Sequence, residues 1–265
     1  MLYRTTTQGR IWITQPTHAW VAGQLARAWG NDTFGSFDPW EEVCLGAEQH
    51  DIGWSPWEAA PTLNPQTGYP HNFTELATQV HIDMWSKAKH LAMPFGRYAT
   101  LLVSLHGTGL YERFTNWQNS PESTQIVQSF LQQESEFQQQ LTAELQNDPD
   151  YAAYATTEAI AYNRQLVALW DLLSLILCMG LEQERQIEHV PTPTGEVTLT
   201  LTPVENNPTQ IKVEPWPFRA KVVPLVWEGR ILRETYTQEE AMRTQLKQAA
   251  WNTITTTLQP ARLIA

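Results

Sequence analysis

Cysteine is nearly absent from this 265-residue chain: Cys44 and Cys178 are the only two, both inside apolar stretches with helical spacing. Two thiols so placed imply no disulfide framework and read as packing residues. Charge is scarce as well. Asp, Glu, Lys and Arg make up 17% of the chain, where about 25% is usual. The balance is acidic, 28 Asp and Glu against 17 Lys and Arg, for a net charge of −11. Phosphate backbones and anionic lipid surfaces are gripped by clustered basic side chains, so this balance argues against nucleic acid and membrane as partners and leaves a small-molecule substrate. The first residues, MLYRTTTQGRIW, lack an apolar signal core, which points to the cytoplasm. Internal repeats are also missing.

What is present is bulk and rigidity, with twelve Trp and seventeen Pro, in a chain long enough to bury a sizeable core. Helical spacing of apolar residues runs from Pro16 to Trp29, with His18 on the inward face. A second helix opens at Asp38-Pro39 and ends near His50, Asp51 and Gly53. Asn72 and Glu75 have capping-box spacing ahead of a helix carrying Leu76, Ala77, Val80, His81 and Met84 on one stripe. A fourth helix is expected over 96–105, with His106 following just before Gly107 and Gly109. The Gln- and Glu-rich stretch from Glu122 to Gln146 reads as a surface helix. Beyond about Glu188 the period shifts to two. VTLTLTP, QIKVEPWPF and KVVPLVWEGRIL read as strands, a helix is expected from Gln238 to Trp251, and NTITTTL is a last candidate strand.

One stretch stands apart. VALWDLLSLILCMGL, Val167 to Leu181, is apolar except for Asp171, Ser174 and Gly180. It falls short of the about 20 apolar residues a membrane span needs, and charged residues follow at once. A helix apolar on all sides is buried, so Asp171 needs a cation or a proton, because an unpaired buried charge costs several kcal/mol. A buried Arg, backbone amides or water could answer that need. So could a metal ion, since His18, His50-Asp51, His81 and His106 also fall at inward faces or helix ends. Imidazole and carboxylate together suit Fe, Mn, Zn or Co, and a carboxylate such as Asp51 can bridge two ions.

The order His18, His50-Asp51, Asp171, with the local sequence AEQHDIGW, resembles the HD superfamily of metal-dependent phosphohydrolases, over about residues 16–180. The resemblance implies two divalent transition-metal ions. One would be held by His18, His50, Asp51 and Asp171, the second by His81, His106 and the other oxygen of Asp51. More closely, ITQPTHAWVAGQLARAWG, QHDIGWSPWEAAPTLN and LLVSLHGTGL resemble the family called domain of unknown function 3891. Trp54 stands where many HD phosphodiesterases have Lys, and Gly107 rather than a second His follows His106, so the resemblance does not extend to cyclic-dinucleotide substrates.

The fold expected is mainly α: an HD-like helical bundle over 1–187, with a small β-rich α+β appendage over 188–265 that the stretch around Ile11 to Ile13 could join. The function expected is hydrolysis of a phosphorylated small molecule by a metal-activated water, with Asp51 bridging and orienting. Arg164, seven residues before Asp171 and so on the same helix face, is a candidate phosphate clamp, or else half of a structural ion pair. Two alternatives stay open. HD-fold proteins with six such ligands include di-iron oxygenases, and Trp54, Trp57 and Trp85 would suit a pocket poor in phosphate-binding groups. A non-enzymatic scaffold is the third.

Overall fold

The computed structural model describes residues 1–205 and 207–262. The chain opens with a hairpin, β1 (Leu2–Thr6) and β2 (Gly9–Ile13), closed by Gly9 at φ +135°. Helices α1 (Gln15–Ala28), α2 (Trp40–Gln49) and the single turn α3 (Ser55–Glu58) follow. A two-stranded ribbon, β3 (Leu63–Asn64) with β4 (Tyr69–Pro70), leads to α4 (Thr78–Ala92), α5 (Arg97–Arg113), α6 (Pro121–Gln146) and α7 (Thr157–Met179). Then come β5 (Arg185–Thr192), β6 (Gly195–Val204), β7 (Asn207–Glu214), β8 (Val223–Leu232), α8 (Glu239–Gln248) and β9 (Trp251–Pro260).

The expectation of a mainly α, all-helical bundle with a small β-rich appendage is overturned. Seven strands form one mixed sheet in the order β1-β2-β8-β9-β7-β6-β5, antiparallel except where β7 runs parallel to β9. The N-terminal hairpin is an integral edge of it, with Ile11 opposite Ile231. Alternation in β8 explains how the sheet joins the helices: Val223, Leu225 and Trp227 are buried while Pro224, Val226 and Glu228 are exposed. That face of β8 lies on α1, while α7 packs against β1 and β5. One continuous apolar core runs from Leu25 and Trp170 in the helices to Leu199, Leu225 and Leu258 in the strands, so packing does not break at residue 187. The sequence pattern suggests an appendage because period-two alternation shows which face of a strand is buried, not what covers it.

Helix α7 is long and apolar enough to cross a membrane, yet its apolar residues, from Leu166 and Trp170 to Leu177, belong to the protein's own core. Two glycines also read differently in three dimensions. The helix expected over 96–105 runs on to Arg113, so His106, Gly107 and Gly109 are helical rather than loop residues. Gly107 is there for packing: a Cβ would sit 2.8 Å from Cε3 of the Trp85 ring. The capping box at Asn72 and Glu75 is present but closes a short 3₁₀ turn, Phe73–Glu75, and α4 begins only at Thr78.

Gly53 holds the segment after His50-Asp51 against α4. A Cβ at Gly53 would lie 2.5 Å from the Met84 carbonyl oxygen and 3.0 Å from Ala88 Cβ, and a backbone carbonyl cannot rotate aside. Gly53→Ala is therefore expected to cost about 2 kcal/mol, in the range of other overpacking substitutions. Denaturant unfolding measures it, and an unchanged midpoint would mean that this approach is looser than described.

Candidate metal centre

Each functional side chain is fixed by local structure. Thr14 caps α1, its side chain accepting from Thr17 N–H at 3.1 Å, and the Gln15 N–H donates to both oxygens of buried Glu58 at 2.9 and 3.0 Å. A carboxylate at a helix N-terminus is favoured by the orphan N–H groups there, and this end of α1 carries His18 one turn in. His50 is the C-cap of α2, and Asp51 follows at φ −106°, ψ 19°, where the chain leaves the helix. α5 brings His106, and α7 brings Asp171.

The hydrogen bonds assign the protons. Ser174 Oγ donates its single proton to the Asp171 carbonyl at 2.8 Å, so it accepts from His18 Nδ1–H, also at 2.8 Å. His18 Nε2 then faces Asp51 Oδ2 at 2.6 Å. His50 Nδ1–H donates to the Ala47 carbonyl at 2.7 Å. That leaves His50 Nε2 buried with no hydrogen-bond partner, 3.4 Å from Asp171 Oδ1 and 3.7 Å from Asp51 Oδ2. A nitrogen lone pair set against two carboxylates is repulsive unless a proton or a metal cation lies among them. Imidazoles that bind metals are commonly oriented in this way, with the other ring N–H held by a carbonyl or hydroxyl.

Electrostatics says the same. Burial pushes His50 down, but the Asp51 and Asp171 carboxylates outweigh it and hold the imidazole up at about 9. Burial pushes Asp51 and Asp171 up, and the surrounding imidazoles, His50 foremost, more than reverse this, so both carboxylates stay ionised. Burial and the neighbouring His50 push His106 down to about 4, leaving it neutral, the form in which imidazole binds a metal. Among the described residues, no Lys or Arg pairs with Asp171. The ionisable side chains nearest it are His18, His50 and His106, at 3.9, 3.4 and 3.8 Å.

Of the six residues expected as ligands, five come together. Two overlapping triads, His18–His50–Asp51 and His50–His106–Asp171, each have ligand atoms within 4.8 Å of one another and could hold a metal ion. His106 thus clusters with His50 and Asp171. His81 lines the same cavity as the cluster, but its Nε2–H donates to the Phe73 carbonyl at 2.8 Å, and it belongs to neither triad. Arg164 is not a clamp at this site. Two turns of α7 place it about 10 Å along the axis from Asp171, where it pairs with Glu112 and lines a different groove. Ser174 has no role on sequence grounds, although its spacing of three residues from Asp171 puts it on the same helix face.

A cavity of about 300 Å³ opens onto the cluster. Trp54, Phe73, Trp85, Tyr111 and Phe114 supply aromatic surface to it; Trp57 does not line it and packs edge-on against Trp54 at 6.0 Å.

Three imidazoles and two carboxylates, drawn from four separate segments to one buried point beside a cavity, define a protein with a candidate metal centre. The chain belongs to the family described as Protein of unknown function (DUF3891), whose model matches residues 1–234. The match takes in the N-terminal hairpin, α1 to α7 and β5 to β8, so six of the seven strands of the sheet fall within it. No curated protein and no solved structure matches the chain.

Proposed function

We propose that this protein is a metal-dependent hydrolase of the HD superfamily, acting on a phosphate ester of a small molecule. The observation that carries the proposal is the buried His50 Nε2, oriented by the Ala47 carbonyl and left unpartnered against two ionised carboxylates. The ligand order His18, His50-Asp51, Asp171 and the convergence of these residues support HD membership. His18, His50, Asp51, His106 and Asp171 would hold one or two divalent ions, of Fe, Mn, Zn or Co type. A bound ion would polarise an ester oxygen and lower the pKa of a coordinated water to about 7. Ser174 would lock His18 as the Nδ1–H tautomer, leaving its Nε2 lone pair and the adjacent Asp51 oxygen to face the ion together. The site lies in a cytoplasmic protein on this reading.

The aromatic cavity favours one second reading, an oxygenase with two irons at the same ligands. Elemental analysis of protein purified without added metal, followed by turnover of p-nitrophenyl phosphate and bis(p-nitrophenyl) phosphate with Mn, Co or Zn, tests the proposal. Bound metal with ester hydrolysis is expected. Two irons with a mixed-valent electron-spin signal and no hydrolysis would replace it with the oxygenase, and failure to bind any divalent ion would leave a non-enzymatic scaffold.

A further inference from the structure

The cavity beside the cluster is chemically one-sided. Among the described residues lining it, none is Lys or Arg, and the only charged or titratable side chains are His18, Asp51, His81, His106, Asp171 and Tyr111. A di- or triphosphate would bring several negative charges to a wall that already carries two carboxylates. At most the cations at the cluster could answer one oxyanion. The remaining wall is hydrophobic: besides the aromatic rings, Leu110 on α5 and Leu175 on α7 line it, each one turn beyond a cluster residue. Phe114 stands at the same cavity and is 65% exposed.

Three polar groups interrupt that wall, and the protein uses none of them. Gln15 Oε1, Trp54 Nε1 and the Tyr111 hydroxyl are buried without a hydrogen-bond partner, and all three residues line the cavity. Gln15 and Trp54 are themselves almost wholly buried, at 3% and 2% exposure. Buried polar groups are nearly always paired. An orphan acceptor, an orphan donor and an orphan hydroxyl around one apolar cavity are the mark of a small-molecule site with a few orienting contacts.

From this we infer that the ligand has an apolar body, aromatic or branched aliphatic, with one or two neutral polar substituents and a single oxyanion head directed at the cluster. Nucleotides and other polyanions are excluded. The inference rests on the metal-site reading for the placement of the head, and on the cavity alone for the body. It defines the hydrolase's substrate as a monophosphate ester of an apolar alcohol or phenol: water adds its oxygen to phosphorus, the ester oxygen leaves with a proton, and inorganic phosphate is the other product.

Binding separates the two parts. 1-Naphthol serves as the body alone, inorganic phosphate as the head alone, 1-naphthyl phosphate as both, and adenosine triphosphate as the polyanion. Each is titrated calorimetrically into metal-free and Mn-loaded protein. Naphthol is expected to bind both forms, and naphthyl phosphate to bind the loaded form at least tenfold more tightly than phosphate or adenosine triphosphate. Phe114→Ala, at an exposed position that folding tolerates, should weaken naphthol about tenfold, as expected when one aromatic ring is removed from the wall. Tyr111→Phe should leave the melting temperature unchanged, because the hydroxyl has no protein partner, while changing the affinity for naphthol. Absence of naphthol binding in both forms, or adenosine triphosphate binding as tightly as naphthyl phosphate, would overturn the inference. Naphthol binding without hydrolysis of naphthyl phosphate under any metal would sink the hydrolase reading and leave the cavity assignment standing.

Discussion

Chelating the metal lowers the melting temperature of the parent protein by about 10 °C, and Asp171→Asn melts at one low temperature with or without chelator. The expectation follows from linkage. An ion that binds only the folded state adds about 4 kcal/mol at a thousandfold excess over Kd, and roughly 2–4 °C accompany each kcal/mol in a chain of this size. Asp171 is the place to test it, because only imidazoles and no Lys or Arg among the described residues stand near its carboxylate. A structural ion pair would predict the opposite pattern, with the parent indifferent to chelator and Asp171→Asn destabilised in every condition. Differential scanning of both proteins, each with metal content verified, decides the matter. A parent that keeps its melting temperature after verified metal removal would end the metal account.

The same cluster gives the metal-free protein a pH dependence. His50 is held up from 6.5 to about 9 by Asp51 and Asp171 against the cost of burial, so its proton is the cation that stands in for metal. A raised folded-state value stabilises fully below the unfolded value and is lost as pH rises through the folded one. Metal-free protein should lose stability between about pH 6.5 and 9, and metal-loaded protein, whose His50 is already deprotonated, should not. Melting curves across that window, with and without metal, show whether the two forms diverge.

His50→Ala should abolish metal binding and cut turnover about a thousandfold, a larger loss than the 10- to 100-fold typical of an outer hydrogen-bond partner. His50 is the one residue common to both triads, so its loss leaves neither complete. His81→Ala is the contrasting variant. Its Nε2–H serves the Phe73 carbonyl, burial lowers its pKa, and it lies outside both triads, so the cluster should keep its ion. If the parent carries two ions per chain and His81→Ala carries one, His81 holds the second through its remaining nitrogen. If His50→Ala keeps the parent's full metal content, the central place given to His50 is wrong. Circular dichroism on both variants guards against reading misfolding as lost affinity.

Much of the helical layer is legible in the sequence. Proline at the start of α1, apolar residues at helical intervals and the buried charge of Asp171 all follow from local chemistry, and they mark His18, His50, Asp51 and Asp171 as inward-facing without any distance being known. Gly107 and Gly109 mislead, because glycine breaks a helix by backbone freedom yet also permits close packing, and only the Trp85 ring against Gly107 shows which applies. Ser174 is visible as a polar residue in an apolar run, but its hydrogen bond to His18 spans 156 positions of sequence.

What the residues alone make legible is the burial of His18, His50, Asp51, His106 and Asp171 and the chemistry at hand: imidazoles and carboxylates on inward faces, few cations, and aromatic bulk. The company each one keeps is fixed by how the elements pack. Packing sets His106 beside His50 and Asp171 rather than with His81, gives Arg164 the Glu112 carboxylate as its partner, and joins the first thirteen residues to β8 in a seven-stranded sheet. The reason is physical. Periodicity records the direction a side chain takes from its own helix or strand, whereas the distance between side chains on different elements is fixed by how those elements pack, and no local pattern contains it.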